Sequence, residues 1–298
     1  MMGSFDWEID FMTALQDAAG KVWTPLMEWV SMLGEETVMV LVIGLIYWCL
    51  NKDLGRKMAL GMTLSLLAGE MIKCAVMRRR PYFDHSEVAC LRAPSGKGDV
   101  MNVAVQGYSF PSLHASNAVV MFGSLATVAR RRWQVALCVL MMLLIGFSRP
   151  FLGVHYPTDV LVGWVLGLCA LWLAFKAVAL LKNWLIIALI VALLALPGWW
   201  FCHTEVFSSV YGLTLGMLGG FAFEERVVKF KNTKNMWRCF LRLVCGMALF
   251  FGVSIALKCV LPPVQLCRCV RYLIASFIAM GVYPMVFKHT DKIWKEER

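Results

Sequence analysis

Apolar residues run along this chain in long stretches broken by short clusters of charge. The stretches fall near 35–50, 57–77, 113–129, 133–149, 157–175, 184–201, 206–223, 239–257 and 270–287. A helix needs about 20 apolar residues to cross a hydrocarbon core of about 30 Å. The pattern therefore predicts an all-α, polytopic membrane bundle of about nine transmembrane helices, or eight to ten given the short first stretch. Residues 5–32 read differently. Trp7, Phe11, Leu15, Trp23, Leu26 and Trp29 are interleaved with acids, the pattern of an amphipathic helix lying in the membrane interface. The first 30 residues lack a basic start followed by an apolar core, so no cleavable signal peptide is expected.

Composition agrees with a membrane chain. Of 298 residues, 60% are hydrophobic and 16% charged, whereas soluble domains are about a quarter charged. The net charge of +10 would suggest nucleic acid in a soluble protein. Here it is assigned to orientation, because basic residues in short loops stay cytoplasmic, and no nucleic-acid partner is expected. Alternating the predicted spans puts Lys52, Arg56, Lys57, the 130–132 arginines, Lys176, Lys182, the basic residues of 226–238 and the tail with Lys288, Lys292, Lys295 and Arg298 on one side. That side, with the C-terminus, is expected to be cytoplasmic. Arg78, Arg79 and Arg80 fall on the other side against the rule, and phosphate binding would explain them. Most of the eleven cysteines sit in apolar stretches, and a disulfide at Cys90 or within 259–269 is left open.

Three polar segments share the outer side. In the first, Lys73 and Arg80 are seven residues apart, two helical turns, and Pro81 should end the helix. A lysine in the last turn of an apolar span is costly, so either function or snorkelling holds it there. Glu70, one turn earlier, is a partner for it. In the second, Ser112 is placed to cap the next helix, and the amides of Ser112, Leu113 and His114 would form an anion site. Taken alone, this segment is better read as a capping serine beside a packed histidine. In the third, Arg149 offers a planar fork for phosphate oxygens. His155 and Asp159 are four apart, so the carboxylate can fix the imidazole tautomer. A buried cluster pinning two helices is the alternative there. Together, three cations, two histidines, one carboxylate and a helix N-terminus are the parts for phosphoryl transfer without metal or other cofactor.

These segments resemble the signature of the type 2 phosphatidic acid phosphatase superfamily. That pattern is Lys-x6-Arg-Pro, then Pro-Ser-Gly-His, then Ser-Arg-x5-His-x3-Asp. Lys73, Arg80-Pro81, Pro111-Ser112-Leu113-His114, Ser148-Arg149, His155 and Asp159 match every spacing over roughly residues 57–175. The one departure is Leu113 in place of glycine, which is expected to narrow the mouth of the pocket. The resemblance implies that His155 attacks phosphorus and forms a phosphohistidine. It implies that Asp159 orients His155, and that His114 protonates the leaving group and then activates water. Lys73, Arg80, Ser112, the Leu113 amide and Arg149 would hold phosphate. Arg78 and Arg79 are assigned to attracting anionic substrates or headgroups, with Tyr82, His85 and Tyr108 as candidate rim residues.

The expected organisation is an interfacial segment over 1–34, a catalytic core over 35–180, and an extension of about four helices over 184–298. The expected function is hydrolysis of a lipid phosphate, with undecaprenyl diphosphate, phosphatidylglycerol phosphate, phosphatidic acid or a sphingoid-base phosphate as substrates, in a bacterial plasma membrane. Membrane lipids are the only other expected partners, and the oligomeric state is open. Two alternatives stand beside it: a membrane phosphatase for a soluble sugar phosphate, and a transporter or scramblase that retains a phosphate site.

Overall fold

The computed structural model describes residues 3–19, 22–94 and 98–287. The basic tail Lys288, Lys292, Lys295 and Arg298 lies outside them. The described residues are helical, without a strand, in the order α1 (Asp6–Ala19), α2 (Thr24–Met32), α3 (Glu36–Leu45), α4 (Lys52–Val76), α5 (Pro81–Asp84), α6 (Val103–Gln106), α7 (Leu113–Ala126), α8 (Arg132–Phe151), α9 (Pro157–Leu181), α10 (Trp184–Ala195), α11 (Gly198–Phe201), α12 (Glu205–Phe223), α13 (Met236–Val260) and α14 (Gln265–Phe277). Single π-turns extend α3, α12 and α14.

Local chemistry sets many of these boundaries. Pro81 and Pro157 open α5 and α9, where a missing N–H costs nothing. Asn183, Thr204 and Asn235 cap α10, α12 and α13 by accepting amides of the first turn, each contributing about 1 kcal/mol. Pro150 lies in the final turn of α8, which ends at Phe151.

Among the described residues, seven helices are long and apolar enough to cross a membrane, and an eighth candidate is α2 joined to the extended α3 across a 47° bend. The nine expected stretches differ from this at two places. The short 35–50 stretch begins as a continuation of α2, which the sequence pattern had given to the interfacial segment. The 113–129 stretch forms only the 14-residue α7, a rise of about 21 Å against the roughly 30 Å of a hydrocarbon core. The N-terminal segment is two helices rather than one.

The chain divides into two compact units. The first comprises residues 1–39 and 68–171. Within it α1 turns Glu8, Ile9 and Met12 inward and leaves Trp7 and Phe11 exposed. Leu152 and Val154, just past α8, pack with Met27, Tyr82 and Phe151. The second comprises residues 40–67 and 172–298. It is centred on Glu224, fully buried, which accepts from Lys52 Nζ at 3.0 Å and the Phe230 amide at 3.0 Å and pairs with Arg56. Arg242 lies under Phe287 and donates to the Trp48 carbonyl at 3.0 Å. In this unit Arg268 pairs with Glu205. All eleven cysteines are free, so neither disulfide left open by the sequence forms.

Candidate active site

All eight residues singled out by spacing belong to the first unit. His155 lies in the turn between α8 and α9 and is buried. Gly153, two residues earlier, has φ +76°, and a Cβ there would fall 2.1 Å from the Ala89 carbonyl oxygen, so the turn takes this path only with glycine. Arg80 Nη1 approaches His155 Nε2 at 3.3 Å. A guanidinium can only donate, so Nε2 accepts and the ring proton rests on Nδ1. Nδ1 faces Asp159 Oδ2 at 3.5 Å, longer than a formed hydrogen bond, and has no other partner. Burial pushes the His155 pKa well below the usual imidazole range, and Arg80, Arg149, Lys73 and His114 push it further. The ring is therefore neutral, with its lone pair on Nε2.

The cations are fixed by backbone as much as by charge. Arg80 is buried and gives its Nε to the Gln106 and Gly107 carbonyls at 3.0 and 3.1 Å and Nη1 to the Val154 carbonyl at 2.9 Å. These bonds tie the end of the α4–α5 connection to both neighbouring loops. Lys73 pairs with Glu70 at 3.5 Å, as the sequence spacing suggests. Arg149 donates to Ser31 Oγ on α2 and keeps its Nε without a partner. Ser112 occupies the N-cap position of α7, yet its side chain makes no capping bond and its buried Oγ has no partner. Its amide donates to the Asp159 carbonyl at 3.0 Å, which holds the start of α7 against the start of α9. His114, one turn-position inside α7, lies so close to α2–α3 that a Cβ on Gly34 would be 3.2 Å from its Cδ2.

Two expectations are corrected here. Arg78 does not face substrate or headgroups. It is 1% exposed and donates to Asp159 Oδ1 at 2.7 Å, to Thr158 Oγ1 at 2.7 Å and to Glu8 Oε2 at 2.6 Å, with its guanidinium over the Tyr156 ring. Spacing alone did not show this, because Glu8 is 70 residues away in sequence. Leu113 does not narrow a pocket mouth. Its side chain is buried against α4 and α9: a Cβ on Gly69 would fall 2.3 Å from Leu113 Cδ2, and Leu166 lies beside it. Arg79, in contrast, is exposed and pairs with Asp84 at 2.8 Å.

Some contributors carried no motif. Glu8 is fully buried on α1 and has the Thr158 hydroxyl and amide on its other oxygen at 2.5 and 3.2 Å. Arg92 is close enough to act on the charge of both Arg149 and His114, and it pairs with Glu35 at 2.5 Å. Of the rim candidates, Tyr82 is buried with an unpartnered hydroxyl and His85 meets Ser4 Oγ at 2.9 Å.

Comparison with known proteins gives three kinds of likeness. A family model described as the PAP2 superfamily matches residues 54–183, and one described as the transmembrane extension of PAP2 superfamily phosphatases matches 208–293. An undecaprenyl-diphosphatase of Sulfolobus acidocaldarius is 28% identical over 155 residues, 51% of this chain and 68% of that protein. A lipid A 4'-phosphatase of Bacteroides thetaiotaomicron is 35% identical over 69 residues, 23% of this chain and 31% of that protein. The crystal structure of Aquifex aeolicus LpxE superposes with a TM-score of 0.50 at 21% identity, covering 59% of this chain and 99% of that one, which is a likeness of fold.

Proposed function

We infer that this chain, which belongs to the PAP2 superfamily and is a membrane-embedded phosphoric ester hydrolase, releases inorganic phosphate from a phosphorylated lipid through a phosphohistidine on His155. The observation that carries this reading is the seat of His155. The ring is buried and neutral, presents a lone pair at Nε2 beside the Arg80 fork, and has Asp159 behind Nδ1. A histidine placed only for packing would need no ring of cations.

In the proposed reaction, Lys73, Arg80, Arg149, Ser112 Oγ and the Leu113 amide hold the phosphate oxygens and offset the charge that develops on them. The unpartnered Ser112 Oγ and Arg149 Nε supply contacts that an incoming phosphate would complete. His155 Nε2 attacks phosphorus as the ester P–O bond breaks, and His114, whose pKa burial and Arg149 hold low in the free site, takes up a proton as the phosphate charge arrives and gives it to the leaving oxygen. A water, deprotonated by His114, then attacks phosphorus, breaks the P–N bond and frees phosphate. Closing the Nδ1–Asp159 distance as the ring gains charge stabilises the intermediate.

The substrate is proposed to be lipid-borne because the site belongs to a chain with long apolar helices and because two of its relatives are named for lipid phosphates. Undecaprenyl diphosphate and a lipid A-type phosphate are the first substrates to try, followed by phosphatidylglycerol phosphate and phosphatidic acid. The site is proposed to face the extracytoplasmic side of a bacterial plasma membrane, with residues 184–298 as an extension to a core over 35–180. The test is phosphate release from these lipids in detergent, with a soluble sugar phosphate alongside. His155→Ala should lower release by about a thousandfold or more, and acid-labile phosphate should be trapped on the native chain. Equal release by the variant would sink the mechanism. Release from the sugar phosphate alone would sink the lipid assignment.

A further inference from the structure

One buried carboxylate beside this site is left over by the reaction. Glu8 belongs to α1, far from every motif, yet it is fully buried, with Arg78 and the Phe5 amide donating to one oxygen and the Thr158 hydroxyl and amide to the other. Arg78 is shared. Its Nη2 goes to Glu8 and its Nη1 to Asp159 Oδ1 and Thr158 Oγ1, while its plane rests 3.8 Å from the Tyr156 ring centroid. Asp159 Oδ2 is turned to the Tyr156 amide at 2.9 Å and to His155 Nδ1. A chain of alternating charge therefore runs Glu8, Arg78, Asp159, His155, entirely within buried residues.

We propose that Glu8 is a positioning residue for the nucleophile: by holding and partly neutralising Arg78 it sets how strongly Asp159 can draw on the His155 imidazole. This rests on the reading of His155 as the nucleophile. The physical argument is one of sign. A lone Arg78 would pull the Asp159 charge toward itself and leave the carboxylate a weak acceptor for Nδ1. Glu8 takes half of the guanidinium and returns a net negative charge to the far side of the ring. Without it, Asp159, itself shared with Arg78, would stand alone against Arg80, Arg149, Lys73 and His114 around the ring. Glu36 and Glu70 act on Lys73, and Ser109 and Tyr156 complete the surroundings of Asp159. A second consequence follows from where Glu8 sits. The same helix exposes Trp7 and Phe11, so an element with no signature residue becomes part of the nucleophile's setting.

The acid limb of kcat/KM reads the His155 protonation state in the free enzyme, and it separates positioning from mere support. Glu8→Gln removes a negative charge, disfavours the imidazolium and should move the limb to lower pH. Arg78→Gln removes a positive charge and should move it to higher pH, each by about one pH unit for charges acting through one intervening pair. The double variant should return toward the native position. Arg78→Lys and Glu8→Asp keep their charges and should hold the limb in place even if rates fall. Asp10→Asn, which removes the same charge from the exposed face of α1, should shift nothing. Should Glu8→Gln fail to fold, the contrast of Arg78→Gln with Arg78→Lys still decides. Limbs that stay put, or that move in the same direction for both charge removals, would overturn the proposal and leave a structural clamp. An active His155→Ala in the same assay would instead overturn the nucleophile itself.

Discussion

At the scale of single residues, Leu113 shows how a departure from a motif can be absorbed. The family's glycine is replaced by a side chain that needs about the volume of four carbons, and the neighbouring helix supplies it at Gly69. The two positions are complementary: no side chain at 69 and a full one at 113. Gly69→Ala should therefore cost about 1–3 kcal/mol as an overpacked contact. Leu113→Ala alone should cost about 2–5 kcal/mol as a cavity. The pair together should fall well short of the sum, a coupling that a double-mutant cycle in thermal unfolding would read. Strict additivity would mean that the two side chains are not in contact. That His155, Asp159, Arg80, Arg149 and Lys73 lie near one another was legible in the sequence, because each is fixed by spacing along one segment, and the proposed roles rest on that clustering. Arg78 was misread because its partner Glu8 is brought in by tertiary folding, and a run of three arginines gives no sign that the first is buried like the third while the second is exposed.

At the scale of elements, helix type and approximate position were legible from apolar runs, while helix continuity was not. The bend between α2 and α3 occurs at a three-residue break, Leu33 to Glu35, within a stretch whose mixed acids and aromatics look interfacial. Pro150 stands one residue before the end of α8, so its missing N–H removes one helical bond from the last turn and the helix goes no further than Phe151. The element least legible is α1. Its inward face carries Glu8, Ile9 and Met12, which taken alone do not distinguish a surface helix from a docked one. It is stitched down by Gln16, whose Nε2 donates to the Ala89 and Phe151 carbonyls at 2.9 Å each and whose Oε1 accepts the Ala89 amide at 3.0 Å. These three bonds join α1 to the segment before Cys90 and to the end of α8. Gln16→Ala should cost about 1–3 kcal/mol, at about 1 kcal/mol per bond with partial access to water. The larger sign should be faster hydrogen exchange in α1 than in α7 or α8, since α1 would open locally before the unit unfolds. Equal protection in the variant and the native chain would show that Ile9 and Met12 alone hold the helix.

At the scale of the whole molecule, the proposed orientation rests on charge rather than on contacts. In the proposed orientation the 130–132 arginines face one side of the membrane and the 258–269 loop the other. Nothing in the packing of either unit depends on which leaflet is which, so the sequence is the only guide and a labelling experiment is the right check. Cys259 is exposed near the end of α13, while Cys169 and Cys245, also exposed, lie within α9 and α13. A membrane-impermeant maleimide reacts through the thiolate, which forms in water and not in hydrocarbon. Intact bacterial cells expressing the chain should therefore be labelled at Cys259, and Cys259→Ser should remove most of that signal. In the Cys259→Ser background, Arg130→Cys on the exposed turn between α7 and α8 should react only after the cells are permeabilised. Labelling of Arg130→Cys in intact cells, with Cys259 protected, would invert the topology and place the proposed site in the cytoplasm, where it would act on inner-leaflet phosphates.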